Sequence, residues 1–239
     1  MLFADNLTRI QEQIAAACRR SGRDHREVAL MAVSKMHSAE AIAEAYAAGV
    51  RLFGENRVQE WQQKRPRLEQ LFGVDAAHVH LIGPLQSNKT AKAAELFDAV
   101  DSVDSAKIAR RLNDAAGALG KRIPVLIEVK LSHEDTKHGI SPAGLSTLLD
   151  EIAGMEWLTA TGLMTVPPWS EDPETARPYF RELRRLRDEV ARKWPGISGL
   201  SMGMSNDFEV AIEEGSTCVR IGTALFGKRQ YPVEAAVTT

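Results

Sequence analysis

Strand-like and helical runs alternate along the whole chain, and that rhythm leaves few folds open. The strand-like runs fall at 28–34, 52–54, 78–83, 97–103, 125–130, 158–164, 199–202 and 218–221. Each precedes a helical run, at 38–48, 58–71, 88–96, 105–119, 142–153, 173–194, 208–214 and, last and shortest, near Ala224. Strands met in this order pair in parallel through helical crossovers. Eight such units favour a closed (β/α)8 TIM barrel. An open doubly wound sheet would carry fewer strands and a glycine-rich turn after the first, where this chain has Lys35. Leu7, Ile10, Ile14, Ala17 and Cys18 recur at helical spacing ahead of the first strand, which adds an amphipathic N-terminal helix. The expected fold class is therefore α/β, a single TIM barrel preceded by one helix. The 239 residues suit one such barrel, with 1–227 as the domain and 228–239 as a loosely packed tail without periodicity.

Charge excludes several functions. Lys and Arg total 30 against 32 Asp and Glu, interspersed, so neither a nucleic-acid footprint nor a polybasic membrane patch is expected. The arginines between 181 and 192 alternate with Glu182, Asp188 and Glu189, the pattern of a solvated helix face. Cys18 and Cys218 are too few for a disulfide framework or a cysteine-rich zinc site, and they fit a reducing, cytoplasmic setting. The N-terminus carries Asp5 and Glu12 and lacks a continuous apolar core, so it does not read as a signal peptide. Nor is any apolar stretch long enough to span a membrane.

Barrels of this kind place their active sites at the C-terminal ends of the strands. Lys35 follows the first strand. It is either an ordinary exposed lysine or, in an apolar mouth that disfavours the ammonium form, an amine free to attack an aldehyde. The polar cluster at 54–60 follows the second strand; there Asn56 either donates to a ligand or caps the next helix, and Glu55 and Arg57 can pair with neighbouring loops. His78 and His80 share a strand face, but no carboxylate or cysteine spacing accompanies them and a metal is not expected. His133 and His138 fall in a loop after the fifth strand, from which Lys137 could reach the mouth.

The loops after the last two strands of such barrels commonly hold phosphate. Met204-Ser205-Asn206-Asp207 offers a hydroxyl and a helix start, and Gly222-Thr223-Ala224 a close-approach glycine, a second hydroxyl and another helix start. Ser205 and Thr223 could instead be simple helix caps. Arg220 alternates with the apolar Val219 and Ile221 and should point into the barrel. A guanidinium keeps its proton in a protein. Facing a pyridine nitrogen, it would hold that nitrogen unprotonated and weaken the ring as an electron sink. An amine beside a phosphate cup points to pyridoxal 5'-phosphate.

At these positions the chain resembles the YggS/PROSC family of pyridoxal phosphate homeostasis proteins, whose fold is similar to the barrel domain of alanine racemase. The resemblance runs from about residue 28 to 227. It is carried by Ala32-Val33-Ser34-Lys35, by 53–60 with Phe53-Gly54-Glu55-Asn56, by 80–89 with Gly83-Pro84-Leu85-Gln86-Ser87-Asn88-Lys89, by Gly162-Leu163-Met164, by 200–205 and by 219–227. Met36-His37 departs from the family's usual threonine and basic residue after the lysine. The resemblance implies an aldimine of pyridoxal 5'-phosphate on Lys35, a phosphate held by Ser205, Gly222 and Thr223, Arg220 at the pyridine nitrogen, and Asn56 and Met204 lining the site. It implies a non-catalytic carrier that binds, buffers and delivers the cofactor to apo-enzymes, and a monomer is expected. A pyridoxal phosphate-dependent amino-acid racemase is the alternative; racemases of this barrel type use a tyrosine base, and here only Tyr46, Tyr179 and Tyr231 exist. A sugar-phosphate enzyme working through a lysine Schiff base would share the amine and the cup, but not the order of the blocks.

Overall fold

The structure is a computed structural model and describes residues 3–73, 77–132, 134 and 138–227. Its strands β1 (Ala29–Val33), β2 (Leu52–Glu55), β3 (His78–Leu81), β4 (Ala99–Val103), β5 (Ile123–Glu128), β6 (Leu158–Met164), β7 (Gly199–Ser201) and β8 (Cys218–Ile221) form a closed barrel in sequence order. All neighbours are parallel, and β1 closes on β8 with Ala29 opposite Cys218 and Met31 opposite Arg220. Closure removes the exposed sheet edges that an open sheet would have to protect.

The helices α2 (Ala39–Ala47), α3 (Val58–Phe72), α4 (Thr90–Leu96), α5 (Ala106–Ala118), α6 (Leu145–Ala153), α7 (Arg177–Val190), α8 (Phe208–Glu213) and α9 (Thr223–Phe226) follow the strands in turn. Ser38 and Ser105 cap α2 and α5 through their side chains, accepting from Ala41 N and Ile108 N. The main core lies between sheet and helices, where Phe53, Val79, Val219 and Ile221 of the strands join Trp61, Leu68 and Phe180 of the helices.

The N-terminal helix α1 (Phe3–Arg20) buries Leu7, Ile10, Ile14, Ala17 and Cys18, the stripe its spacing foretold, together with Phe3, and packs against α8 and α9. Arg20 fastens the far end to Glu209 and Glu213. The arginine-rich α7 buries Phe180, Leu183, Leu186 and Val190, while Arg185 pairs with Glu182 and Glu189 in solvent. Among the described residues no helix is long and apolar enough to cross a membrane. The expectations for the tail 228–239, His133, Lys137 and Tyr231 lie outside the described residues.

Candidate functional site

The loops that follow the strands enclose a cavity of about 520 Å³. Lys35, Asn56, Met204, Ser205, Arg220, Gly222 and Thr223 all line it, although they come from the ends of β1, β2, β7 and β8. That volume is within the range of small-molecule sites.

Arg220 is the fixed cation of the cavity. It is buried, its Nη1 donates to Ser201 Oγ at 2.7 Å, and its Nη2 donates to Thr165 O at 2.9 Å. These bonds to β7 and to the residue after β6 use two of the five N–H donors that a guanidinium carries. Burial pulls its pKa below that of an ordinary arginine, against the nearby acidic groups Asp101, Glu128 and Asp207. Next to it, burial pushes the Cys218 thiol up to about 12, so this cysteine stays protonated.

The loops after β7 and β8 meet through Ser205, whose Oγ accepts the N–H of Ala224 at 3.3 Å. Neither hydroxyl occupies the cap of its own helix: Asp207 stands at the start of α8 and Gly222 at the start of α9. Asp207 instead accepts the N–H of Met204 at 2.6 Å, which shapes the turn carrying Met204 and Ser205. Gly203 permits that turn, with φ of +94° and with Ala211 Cβ only 2.5 Å from where its own Cβ would stand. At Gly222 a Cβ would find only ordinary contact, with Val33 O at 3.5 Å. Gly222 also lines the cavity.

Asn56 is not a helix cap either, since Arg57 occupies that position before α3. Its neighbour Glu55 turns away from the cavity and is fully buried, accepting from Ser34 Oγ at 2.8 Å and from Lys64 Nζ at 2.9 Å. Burial pushes the Glu55 carboxyl above the usual range, partly opposed by Lys64. His80 meets Asp101 inside the barrel at 3.1 Å. Asp101 lies 21 residues from His80 in the chain, so no local spacing announces that partner.

The segment between β6 and α7 was also missed. Val166, Pro168, Trp169, Ser170, Asp172 and Thr175 line the cavity from this side, and Asn206 Nδ2 ties the segment down by donating to Ser170 O at 2.9 Å. Pro167-Pro168-Trp169, directly after a strand-like run, was the available signal. Glu128, at the end of β5, lines the cavity as well and lay hidden inside an apolar run.

A parallel eight-stranded barrel with a lysine after its first strand and a buried arginine on its last defines a class, that of the alanine racemase N-terminal domain, and the profile of that family matches residues 6–230. Within it, a protein of Aquifex aeolicus called pyridoxal phosphate homeostasis protein is 42% identical, over 97% of this chain and 100% of its own. One of the same name from Vibrio cholerae is 45% identical, over 95% of this chain and 96% of its own. The solved structure of PipY from Synechococcus elongatus, with pyridoxal phosphate bound, superposes with a TM-score of 0.80 at 41% identity, covering 91% of this chain and all of that one. The chain belongs to the family of pyridoxal phosphate homeostasis proteins.

Proposed function

We propose that the protein binds pyridoxal 5'-phosphate in this cavity, as a Schiff base with Lys35, and serves intracellular homeostasis of the cofactor as a carrier. The observation that carries the reading is the convergence on one cavity of an amine at a strand end, two hydroxyl-bearing loops joined by Ser205, and a buried cation. The bound cofactor of PipY supports it from outside the chain.

In this reading Ser205, Thr223 and the backbone beside Gly222 take the phosphate, and Asn56 and Met204 line the ring. When bound, the cofactor supplies an aldehyde for the amine and an aromatic ring that can draw in electron density. Arg220 faces the ring nitrogen as a permanent cation, which keeps that nitrogen unprotonated and limits carbanion chemistry. The carrier is a cytoplasmic monomer in which 1–227 act as one domain, and its partners are apo-enzymes that require the cofactor.

Racemisation is the competing activity, because the family profile is that of a racemase domain. Among the described residues no tyrosine lines the cavity: Tyr46 stacks on Phe72 at 4.2 Å beneath Arg51, and Tyr179 lies on α7. The test is transfer of cofactor from loaded protein to an apo-enzyme, with a trap for free pyridoxal phosphate, alongside chiral analysis of L-amino acids incubated with the loaded protein. Cofactor delivery without D-isomer is expected. Enzyme-like turnover to the D-isomer, about 1 per second or faster, would replace the carrier reading with the racemase one.

A further inference from the structure

The backbone around Lys35 is held by a group of charged residues that do not line the cavity. His37 N donates to Ser34 O at 3.1 Å, closing a turn with Lys35 and Met36 at its centre. Met36 has φ of +63°, and it is the only non-glycine residue with positive φ among those described. A positive φ at the third position is the pattern of a type II turn, where glycine or asparagine normally stands. For a side chain like methionine this conformation costs about 1–2 kcal/mol, so something else must hold the turn.

That support comes from α3 and β2. Lys64 Nζ donates to Ser34 O at 2.9 Å, to Glu55 Oε1 at 2.9 Å and to Glu60 Oε1 at 2.6 Å. Glu60 in turn accepts the N–H of Met36. Glu55 accepts the Ser34 hydroxyl, and its second oxygen is buried without a hydrogen-bond partner among the described residues. The residues on both sides of Lys35 are thus fixed by one linked set of charges, while Lys35 itself lines the cavity. Strain of this kind persists at functional sites where the surroundings over-determine it.

We propose that Glu55, Glu60 and Lys64 form a positioning clamp that locks the Ser34–His37 turn and so presents the Lys35 amine to a carbonyl ligand in the cavity. The inference rests on the Schiff-base reading for its consequence, and on the hydrogen bonds alone for its structure. The step it serves is a condensation: the Lys35 nitrogen attacks the aldehyde carbon, the carbonyl oxygen leaves as water with both amine protons, and a C=N bond remains. The clamp residues are positioning groups that act on the backbone on either side of Lys35.

The test compares Glu60→Ala, Glu60→Gln and Lys64→Met with the wild-type chain. Glu60→Gln keeps an acceptor for Met36 N, whereas the other two break the clamp at different links. Three readouts apply: hydrogen exchange of the Met36 and His37 amides in cofactor-free protein, the rate of borohydride-trapped capture of pyridoxal 5'-phosphate by Lys35, and the affinity for 4-deoxypyridoxine 5'-phosphate, which has no aldehyde. Glu60→Ala and Lys64→Met should lose amide protection and slow capture by about tenfold to a hundredfold, with analogue affinity kept and Glu60→Gln close to wild type. Wild-type protection and capture in both broken variants would overturn the clamp, as would an equal loss of analogue affinity, which marks general damage to the cavity. Should wild-type Lys35 capture nothing, the cofactor reading fails, and amide protection alone then decides the clamp.

Discussion

Ser205 Oγ accepts the N–H of Ala224 at 3.3 Å, so the loops after β7 and β8 are one structure although 19 residues separate them. A hydroxyl already placed by a backbone donor has its remaining hydrogen-bonding capacity directed, which suits it to a multiply charged oxygen ligand. Replacing Ser205 and Thr223 together by alanine should weaken cofactor retention by about tenfold to a hundredfold per hydroxyl lost, from about 1.5–3 kcal/mol for a hydrogen bond to a charged group. Equilibrium dialysis against free pyridoxal phosphate measures this, with a substitution of the exposed Lys107, Lys107→Ala, as the control. Unchanged affinity in the double variant would place the phosphate elsewhere.

Gly203 and Gly222 should separate folding from binding. Gly203→Ala drives a Cβ to 2.5 Å from Ala211 at a φ of +94° and should cost about 1–3 kcal/mol in urea unfolding. Gly222→Ala meets only ordinary contact with Val33, and should lose less stability while losing more cofactor affinity.

Arg220→Gln removes a buried cation whose bonds satisfy Ser201 Oγ and Thr165 O. The loss should be about 1–3 kcal/mol of stability. In the loaded protein the absorbance band should shift, because the ring nitrogen loses its fixed positive neighbour. An unaltered spectrum would show that Arg220 does not face the ring.

The His80–Asp101 pair gives a pH dependence of known sign. Burial, the largest single influence, disfavours the charged imidazole, but the Asp101 hydrogen bond together with the attraction of the Asp101 and Asp98 charges outweighs it, and the folded-state pKa lies above the ordinary 6.5. The stability contributed is complete below about pH 6.5 and is lost as pH rises through the higher folded value. The stability difference between wild type and His80→Gln should therefore be larger at about pH 5.5 than at about pH 8.5, as read by urea unfolding. A difference that grows with pH would contradict the assignment.

The barrel was legible in the sequence because each βα unit carries its own apolar period, and the observed strands fall within a few residues of the expected runs. The helix foreseen at 173–194 instead begins with a 3-10 turn at Pro173–Ala176 before α7, and the one at 142–153 begins with another at Pro142–Gly144 before α6. Proline fits the first turn of either helix type, since its missing N–H would be unpaired there anyway, and 3-10 turns are frequent at helix N-termini. Residues at strand ends could be read one by one because a parallel barrel gathers those ends on one face. Whether Asn56 and Ser205 cap helices or face the cavity could not be read, since both roles use the same residue types, and Arg57 and Asp207 turned out to hold the cap positions. The clamp was illegible for a different reason: Lys64 looks like any lysine on a helix surface until the fold brings it to Ser34 O. The β6–α7 segment lines the cavity without a periodic pattern to announce it.

The central claim is the chemical role of Lys35. Pyridoxal 5'-phosphate added to the purified protein, followed by borohydride and peptide mass mapping, tests it most directly. The account predicts one reduced pyridoxyl-phosphate adduct on the peptide containing Lys35, absent in Lys35→Ala. A main adduct on another lysine, or none in the wild-type protein, would contradict it.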